Sequence, residues 1–206
     1  MKGMRKISRG TGFRGVLDYV FDNQKGDLGE LIGGNMIGSD AKSLAREFRN
    51  IASLRPDISK PVWHNALNLP PGETMTAAEW IPVLDDYMSR LGFEEDHQRV
   101  YILHDNGRHA HIAANRVSMS GKVYLGRNEN LASTRHIQDL EHVYGLTITK
   151  GPEYDPDTGK VVMPDKRGLK KNELDRAIRT GDEPPRSLGP TRIVSRVASK
   201  YSIRGM

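Results

Sequence analysis

The chain has 206 residues, 36% of them hydrophobic and 28% charged, a composition that fits a globular protein with a core of its own. It contains no cysteine, which excludes disulfides, thiolate metal ligands and cysteine nucleophiles, so any metal would need His, Asp or Glu ligands. No apolar run is long enough to span a bilayer and no signal peptide is recognisable, so we expect a cytoplasmic protein.

Positive charge is concentrated at both ends of the chain. The net charge is +5, and neither the first fifteen nor the last twenty-one residues contain an acid. The basic residues of these two segments are Lys2, Arg5, Lys6, Arg9, Arg14, Arg186, Arg192, Arg196, Lys200 and Arg204. This distribution either indicates a polyanionic partner, nucleic acid first, or serves only solubility.

The first third of the chain predicts two helices separated by turns. A short helix is expected at Val16–Phe21, and the glycine-rich stretch 27–38 surrounds one short strand, at Leu31–Ile32 or Met36–Ile37. The pair Ser39-Asp40 then caps a second helix, whose apolar residues recur at spacings of four and three.

The middle of the chain predicts three strands and a long helix. Pro61 to Leu69 is rich in aromatic and aliphatic residues, as in a strand. Thr76 and Glu79 form a capping box for a helix that Gly92 ends. Two further strands, Arg99 to Leu103 and His109 to Val117, flank a tight Asn-Gly turn.

After these strands, Lys122–Leu125 is predicted to be extended, and Ser133 to cap a helix that Gly145 stops. Pro152–Gly159 is predicted to be a loop, Leu169–Arg179 a charged helix, and the end of the chain a basic amphipathic helix. We therefore expect one domain over residues 1–180, then a linker and helix over 181–206. The mixed elements and tight turn favour an α+β fold with a central antiparallel sheet flanked by helices.

The strongest chemical pattern is His109-Ala110-His111. Residues two apart in a strand point to the same face, so both imidazoles can reach one metal ion. His104 ends the preceding strand, across the turn from His109, and completes a three-histidine set. His64 either lines the same sheet face or, in the interpretation adopted here, is a packed strand residue.

Several neighbours of these histidines are weaker candidates. Asp105 can orient an imidazole through its second nitrogen, or can simply be part of the turn. Asn115 shares the histidine face by alternation, whereas Arg116 points the other way unless the strand is bulged. Nothing in the spacing marks Tyr19 as a nucleophile, and on composition alone it is a packed aromatic.

Five ordered segments resemble the relaxase/mobilisation nuclease family of plasmids, of the MobA/MobL or MOB-P type. These segments, which together span about residues 1–150, are Phe13 to Tyr19, Ala41 to Pro56, Val62 to Glu73, His104 to Val117, and Ser133 to Leu146. In the family pattern the first histidine is separated from the His-x-His pair by two more residues than here. His97 or His64 are therefore alternatives to His104 as the first ligand.

The resemblance implies a histidine-hydrophobe-histidine endonuclease whose antiparallel sheet carries helices on one face. Tyr19 would attack single-stranded DNA at a transfer origin, becoming linked to the 5′ phosphate. Mg²⁺ or Mn²⁺ on the three histidines would neutralise the phosphate, since a phenol, with a pKa of about 10, is a poor nucleophile. Implied partners are accessory relaxosome proteins and a coupling protein; no small-molecule cofactor is expected.

Phosphate contacts are expected from a set of basic and polar residues near these motifs. They are Lys6, Arg9, Arg14, Asn115, Arg116 and Arg135.

Three other functions compete with this interpretation. A rolling-circle replication initiator would share the chemistry, but its tyrosine normally follows the histidine motif. A cupin-like metal enzyme would require a carboxylate where Asn115 stands. A DNA-binding module without catalysis would need only the final basic helix. The order of Tyr19 before the histidines favours the relaxase, and the chain could be the nuclease part of a longer one.

Overall fold

The computed structural model describes residues 1–3, 7–23 and 27–149, with only the backbone at positions 2, 3, 23, 27 and 106, and the backbone of 153–154 and 161–162. The chain divides into two compact units, Met1–Gly151 and Pro152–Met206. Within the second unit, a short antiparallel pair joins Glu153–Tyr154 to Val161–Val162, inside and just beyond the segment predicted to be a loop. The charged helix at Leu169–Arg179 and the predicted segment 181–206 lie outside the described residues.

Helices and strands alternate along the first unit. The helices are Phe13–Phe21 (α1), Ala41–Ala52 (α2), Ala77–Leu91 (α3) and Glu129–Val143 (α4). The strands are Lys2–Gly3 (β1), Ser8–Gly10 (β2), Asp22–Asn23 (β3), Asp27–Leu28 (β4), Glu30–Gly34 (β5), Val62–Asn68 (β6), Arg99–His104 (β7) and His109–Asn115 (β8). The pair in the second unit is β9 and β10.

The helix ends show which sequence signals were sound. Asp40 caps α2 with a capping box through Ser43, Thr76 and Glu79 form the predicted box on α3, and Gly92 ends α3 with a positive φ. The prediction that Ser133 caps the fourth helix was wrong. That helix begins one turn earlier, after Asn128, and the Ser133 hydroxyl instead hydrogen-bonds the buried Tyr87 hydroxyl at 2.6 Å.

The central sheet is antiparallel, as predicted, in the order β1-β6-β8-β7-β5, with β2 also pairing along β6. Its alternation divides the core into two. On one face, Val62, Val100, Ile102 and Ala113 pack with apolar residues of α1 and α2. On the other face, larger side chains such as Trp63 pack with α3 and α4.

Helices therefore cover both faces of the sheet, which corrects the expectation of helices on one face only. An open sheet covered in this way also differs from the β-barrel or jelly roll of a cupin, so the cupin-like alternative lacks its fold. Among the described residues, no helix is long and apolar enough to cross a membrane.

His97, one of the alternative ligands, serves the fold. It is buried, its Nδ1 accepts a hydrogen bond from the Glu94 amide at 3.1 Å, and its ring meets Phe93 edge to face at 5.3 Å. Burial lowers the pKa of His97 below its ordinary value of 6.5, so the folded protein binds a proton here less readily than the unfolded chain.

A pH dependence of stability follows from this shift. The contribution of a buried neutral histidine is complete above pH 6.5 and is lost as the pH falls below that value. We expect the free energy of unfolding in urea to be lower at pH 5.5 than at pH 7.5, and His97→Gln to reduce that difference. The exposed His142, changed to Gln, is the control; equal pH dependence in both variants would contradict the assignment.

Candidate active site

Four histidines meet on the sheet face that carries α1 and α2. In the register of the sheet, His104 pairs with His109 and Ile102 with His111, so that these side chains point to one side. The ring centroids of His104, His109 and His111 are 4.9 to 5.2 Å apart. The structure therefore brings together the three histidines that the sequence analysis grouped as candidate ligands.

His64 is the fourth histidine, and the interpretation of it as a packed strand residue missed its position. Its Nε2 lies 3.0 Å from Nδ1 of His111, and the two rings lie edge to edge in nearly one plane, with centroids 5.3 Å apart and planes 6° apart. It lies on β6, the strand on the other side of β8. The available signal was strand alternation: His64 lies two residues after Val62, so both side chains point to the same face of the sheet.

Burial sets the charge of this pair. Burial lowers the pKa of His64 to about 4. Burial, followed by repulsion from a charged His64, His104 or His109, lowers the pKa of His111 to about 3. Both rings are therefore uncharged at neutral pH, the form in which imidazole binds metal ions.

Tyr19 stands directly against this pair. The residue lies near the end of α1 and is 57% exposed. Its ring meets those of His64 and His111 edge to face, with both centroid distances 6.0 Å. Its exposure distinguishes Tyr19 from a packed core aromatic. The ring that carries the hydroxyl is therefore in contact with both the histidine pair and the solvent.

The end of α1 is attached to the histidine cluster by a hydrogen bond. The last carbonyls of a helix have no partner within the helix. The carbonyl of Val20 accepts a hydrogen bond from Nε2 of His104 at 2.7 Å, and that of Phe21 accepts one from the Gly29 amide at 3.1 Å. Since a carbonyl oxygen only accepts, His104 carries a proton on Nε2.

The histidines have the ligand chemistry and the spacing of a divalent-ion site, but their nitrogen atoms are not yet directed at one point. Three imidazoles that bind one ion at about 2.0–2.1 Å place their centroids roughly 5 Å apart, as here. In the part of the chain that the structure describes, however, no group of three or more His, Asp or Glu side chains is arranged to hold an ion. Nε2 of His104 is directed at Val20. That hydrogen bond leaves Nδ1 of His104 as its nitrogen for an ion. Because no ready set of three ligands is present among the described residues, the rings would have to shift to close around an ion.

A cavity of about 380 Å³ opens beside the cluster. It lies between the N-terminus of α3 and the turn that joins β7 to β8. Its lining residues are Leu28, Glu30, Thr74, Met75, Thr76, Ala77, Glu79, Leu103, His104, Asp105 and Gly107. The space therefore adjoins His104, at the edge of the sheet where β7 ends and β5 begins.

A comparison with protein families agrees with this geometry. The model of the family described as Relaxase: MobA/VirD2-like, nuclease domain, matches residues 19–146. The chain belongs to this relaxase family. Neither a curated protein nor a solved structure matches it. The matched segment begins at Tyr19 and includes all four histidines of the cluster, so the relaxase domain and the geometric site coincide.

Membership of the family establishes the general activity. A relaxase nuclease domain nicks DNA and binds it as a single strand, and relaxases generally use a divalent metal.

The other predicted site residues lie in varied surroundings. The Asp105 carboxylate accepts a hydrogen bond from Arg108 at 2.9 Å, and its backbone has a φ of 50°, which is uncommon for a residue other than glycine. Arg14 is exposed on α1 and pairs with Asp18 at 2.6 Å. Lys6 lies outside the described residues.

Asn115 and Arg116 use their hydrogen-bonding groups within the protein. Asn115 is fully buried and donates to the carbonyl of Phe48 at 3.1 Å. Arg116 is buried as well and donates to the carbonyls of Tyr124 and Lys60 at 3.0 and 2.8 Å. These contacts stabilise the end of β8 and leave few hydrogen-bond donors of either side chain for a phosphate.

Arg9 and Arg135 are associated with the opposite face of the sheet. Arg9 lies opposite Trp63 in the register and pairs with Glu129 at 2.9 Å. Arg135 is exposed on α4, whose apolar residues pack on that same face. Neither residue is grouped with the histidines.

A row of cations that the sequence interpretation overlooked lies on the histidine side. Helix α2 packs beside α1 and exposes Lys42, Arg46 and Arg49 at spacings of four and three, which form one surface of a helix. None of the three side chains has an ion pair with any described residue. We call these three residues the α2 basic row.

The attachment of α1 depends on the absence of a side chain at Gly29. A Cβ there would collide with the Val20 carbonyl and would lie 2.8 Å from Nε2 of His104. We expect Gly29→Ala to lower the free energy of unfolding by about 1–3 kcal/mol, the usual cost of overpacking. Gly15→Ala, inside α1, is the control: a Cβ at Gly15 has no atom within 4 Å, so this change is expected to be neutral or stabilising. Urea unfolding measures both, and equal effects would contradict the role of Gly29.

Proposed function

We propose that this relaxase nicks single-stranded DNA at an origin of transfer by transesterification, with Tyr19 as the nucleophile. The observation that carries the proposal is the exposed Tyr19 ring against the uncharged pair His64 and His111. An accessible hydroxyl next to groups that can bind an ion or accept a proton is the arrangement that a phenol nucleophile needs.

In the proposed step, the phenolic oxygen of Tyr19 forms a bond to the phosphorus, and the bond from phosphorus to the 3′ oxygen breaks. The phenol loses its proton to the surroundings, and the departing oxygen takes one up to become a 3′ hydroxyl. The protein keeps the 5′ phosphate as a phosphotyrosine, so that the reverse reaction can religate the strand during plasmid mobilisation.

The proposed ligands of a divalent ion are His104, His109 and His111. Mg²⁺ or Mn²⁺ is the proposed ion, and imidazole ligands would also accept other transition metals. A bound ion would supply neutralisation of charge at the scissile phosphate. Asp105, which follows His104 on the turn, is proposed to help set the position of that ring, and its pair with Arg108 fixes the carboxylate.

Phosphate groups of the strand are proposed to meet the helices on the histidine side. The α2 basic row offers three exposed cations next to α1, and Arg14 adds a fourth on α1 itself. Lys6 remains a proposed contact from the sequence. The cavity of about 380 Å³ beside His104 is the proposed place of a base next to the nick.

The nucleophile is tested by removal of one oxygen. We expect Tyr19→Phe to abolish both nicking of an origin oligonucleotide and the protein–DNA adduct seen on a denaturing gel. Binding measured by fluorescence anisotropy should change little, because the phenyl ring keeps its contacts. Tyr144→Phe, which removes a hydroxyl bonded to the carbonyl of Pro82, is the control and should nick normally. Adduct formation by Tyr19→Phe would exclude Tyr19 as the nucleophile.

The ion site is tested separately. Loss of a group that only orients a ligand costs about 10–100-fold, so we expect His109→Ala and His111→Ala to cost more than that in Mn²⁺-dependent nicking. EDTA should abolish nicking by the wild type, and His142→Ala should behave as the wild type. Undiminished nicking by both ligand variants in EDTA would rule out the metal.

A further inference from the structure

We propose that His64 is a positioning residue that holds His111 in the tautomer with its proton on Nδ1. This inference rests on the proposed function, because it assigns Nε2 of His111 to the ion. The observation is the 3.0 Å contact between Nε2 of His64 and Nδ1 of His111, made edge to edge by two nearly coplanar rings of residues that are each 7% exposed.

The sheet register explains how the two rings come together. His64 pairs directly with Ala113, and His111 pairs directly with Ala66, so each histidine faces a methyl group across the strands. Diagonal neighbours on adjacent antiparallel strands are within reach of aromatic side chains. With a small residue opposite each ring, the two imidazoles can meet edge to edge along the diagonal instead of colliding.

Two arrangements of protons satisfy the contact. In one, His64 donates and His111 carries its proton on Nε2; in the other, His111 donates and its Nε2 keeps a lone pair. Only the second arrangement allows His111 to bind an ion through Nε2. Histidine ligands commonly donate their other N–H to a neighbouring acceptor, which fixes the ring and the tautomer.

His104 uses its contacts in the same way. Its Nε2 proton is donated to the carbonyl of Val20, an acceptor provided by α1. For His111 the acceptor is the imidazole of His64, provided by β6. The His64 ring also meets Tyr19 edge to face, so one side chain contacts both the proposed nucleophile and a proposed ligand.

Two substitutions of His64 test its aromatic ring and its hydrogen-bond acceptor separately. His64→Phe keeps an aromatic ring for the contact with Tyr19 but removes the acceptor nitrogen, whereas His64→Gln keeps an acceptor oxygen and removes the ring. His142→Phe, at an exposed position of α4, is the matched control. Thermal unfolding of each variant establishes whether it folds.

The first measurement is the tautomer of His111 by side-chain ¹⁵N NMR in EDTA, with its signals assigned by their loss in His111→Gln. We expect protonated Nδ1 and bare Nε2 in the wild type and in His64→Gln, and a mixture of tautomers in His64→Phe. A proton on Nε2 of His111 in the wild type would overturn the proposal, whether or not the protein binds a metal. If His64→Phe does not fold, the tautomer of His111 in the wild type and in His64→Gln still tests the proposal.

The second measurement is Mn²⁺ affinity by calorimetry, without DNA. Loss of the acceptor should weaken it about 10–100-fold in His64→Phe, while His64→Gln and His142→Phe stay within a few-fold of the wild type. Unchanged affinity in His64→Phe would contradict the role of His64. Absence of Mn²⁺ binding by a wild type with the expected tautomer would instead contradict the proposed ion site.

Discussion

In the central sheet, β8 is hydrogen-bonded on both sides, and its register with β6 and β7 determines the positions of the four clustered histidines. The pairs His104 with His109 and Ala66 with His111 place four imidazoles on one face. Because side chains alternate along a strand, a slip of one residue would turn His109 and His111 toward α3 and α4. Large apolar side chains on that other face, Trp63 among them, oppose such a slip.

The second determinant is the way in which α1 is held on the sheet. The helix buries Phe13, Leu17 and Val20 against the histidine side of the sheet, while its last turn is fixed by His104 and Gly29. Hydrophobic packing alone leaves a short helix some freedom to rotate or slide, whereas a hydrogen bond to one carbonyl is directional. Tyr19, the residue before Val20, is thereby kept beside the rings.

The sequence predicted those parts of the site that depend on local rules. Alternation placed His109 and His111 on one face, and the turn placed His104 opposite His109. His64 could not be assigned in that way, since its contact with His111 depends on the register between strands more than forty residues apart. Ser133 matched a capping rule locally, yet a tertiary contact with Tyr87 determined its place inside α4. Tyr19 was recognised only through resemblance to a family.

Burial decided the cases in which alternation predicted the face but not the role. Asn115 does lie on the histidine face, as expected, but α2 covers it, and Phe48 takes its amide. Arg116 has a side chain long enough to reach a phosphate, but two carbonyl groups of neighbouring loops take its donors. Whether a polar residue serves the fold or a ligand depends on the elements packed above it, which a pattern within one strand does not contain.

The α2 basic row has a consequence for how the protein would respond to its solution conditions. Since His64 and His111 are uncharged near neutral pH, that pair contributes no charge to the attraction of a polyanion. Exposed cations do contribute, and binding through them releases counterions and weakens steeply as salt concentration rises. Ionic strength would then control how often a DNA strand occupies this surface. The rate of the chemical step on bound DNA would depend instead on the bound ion and on the tautomers of the histidines next to Tyr19.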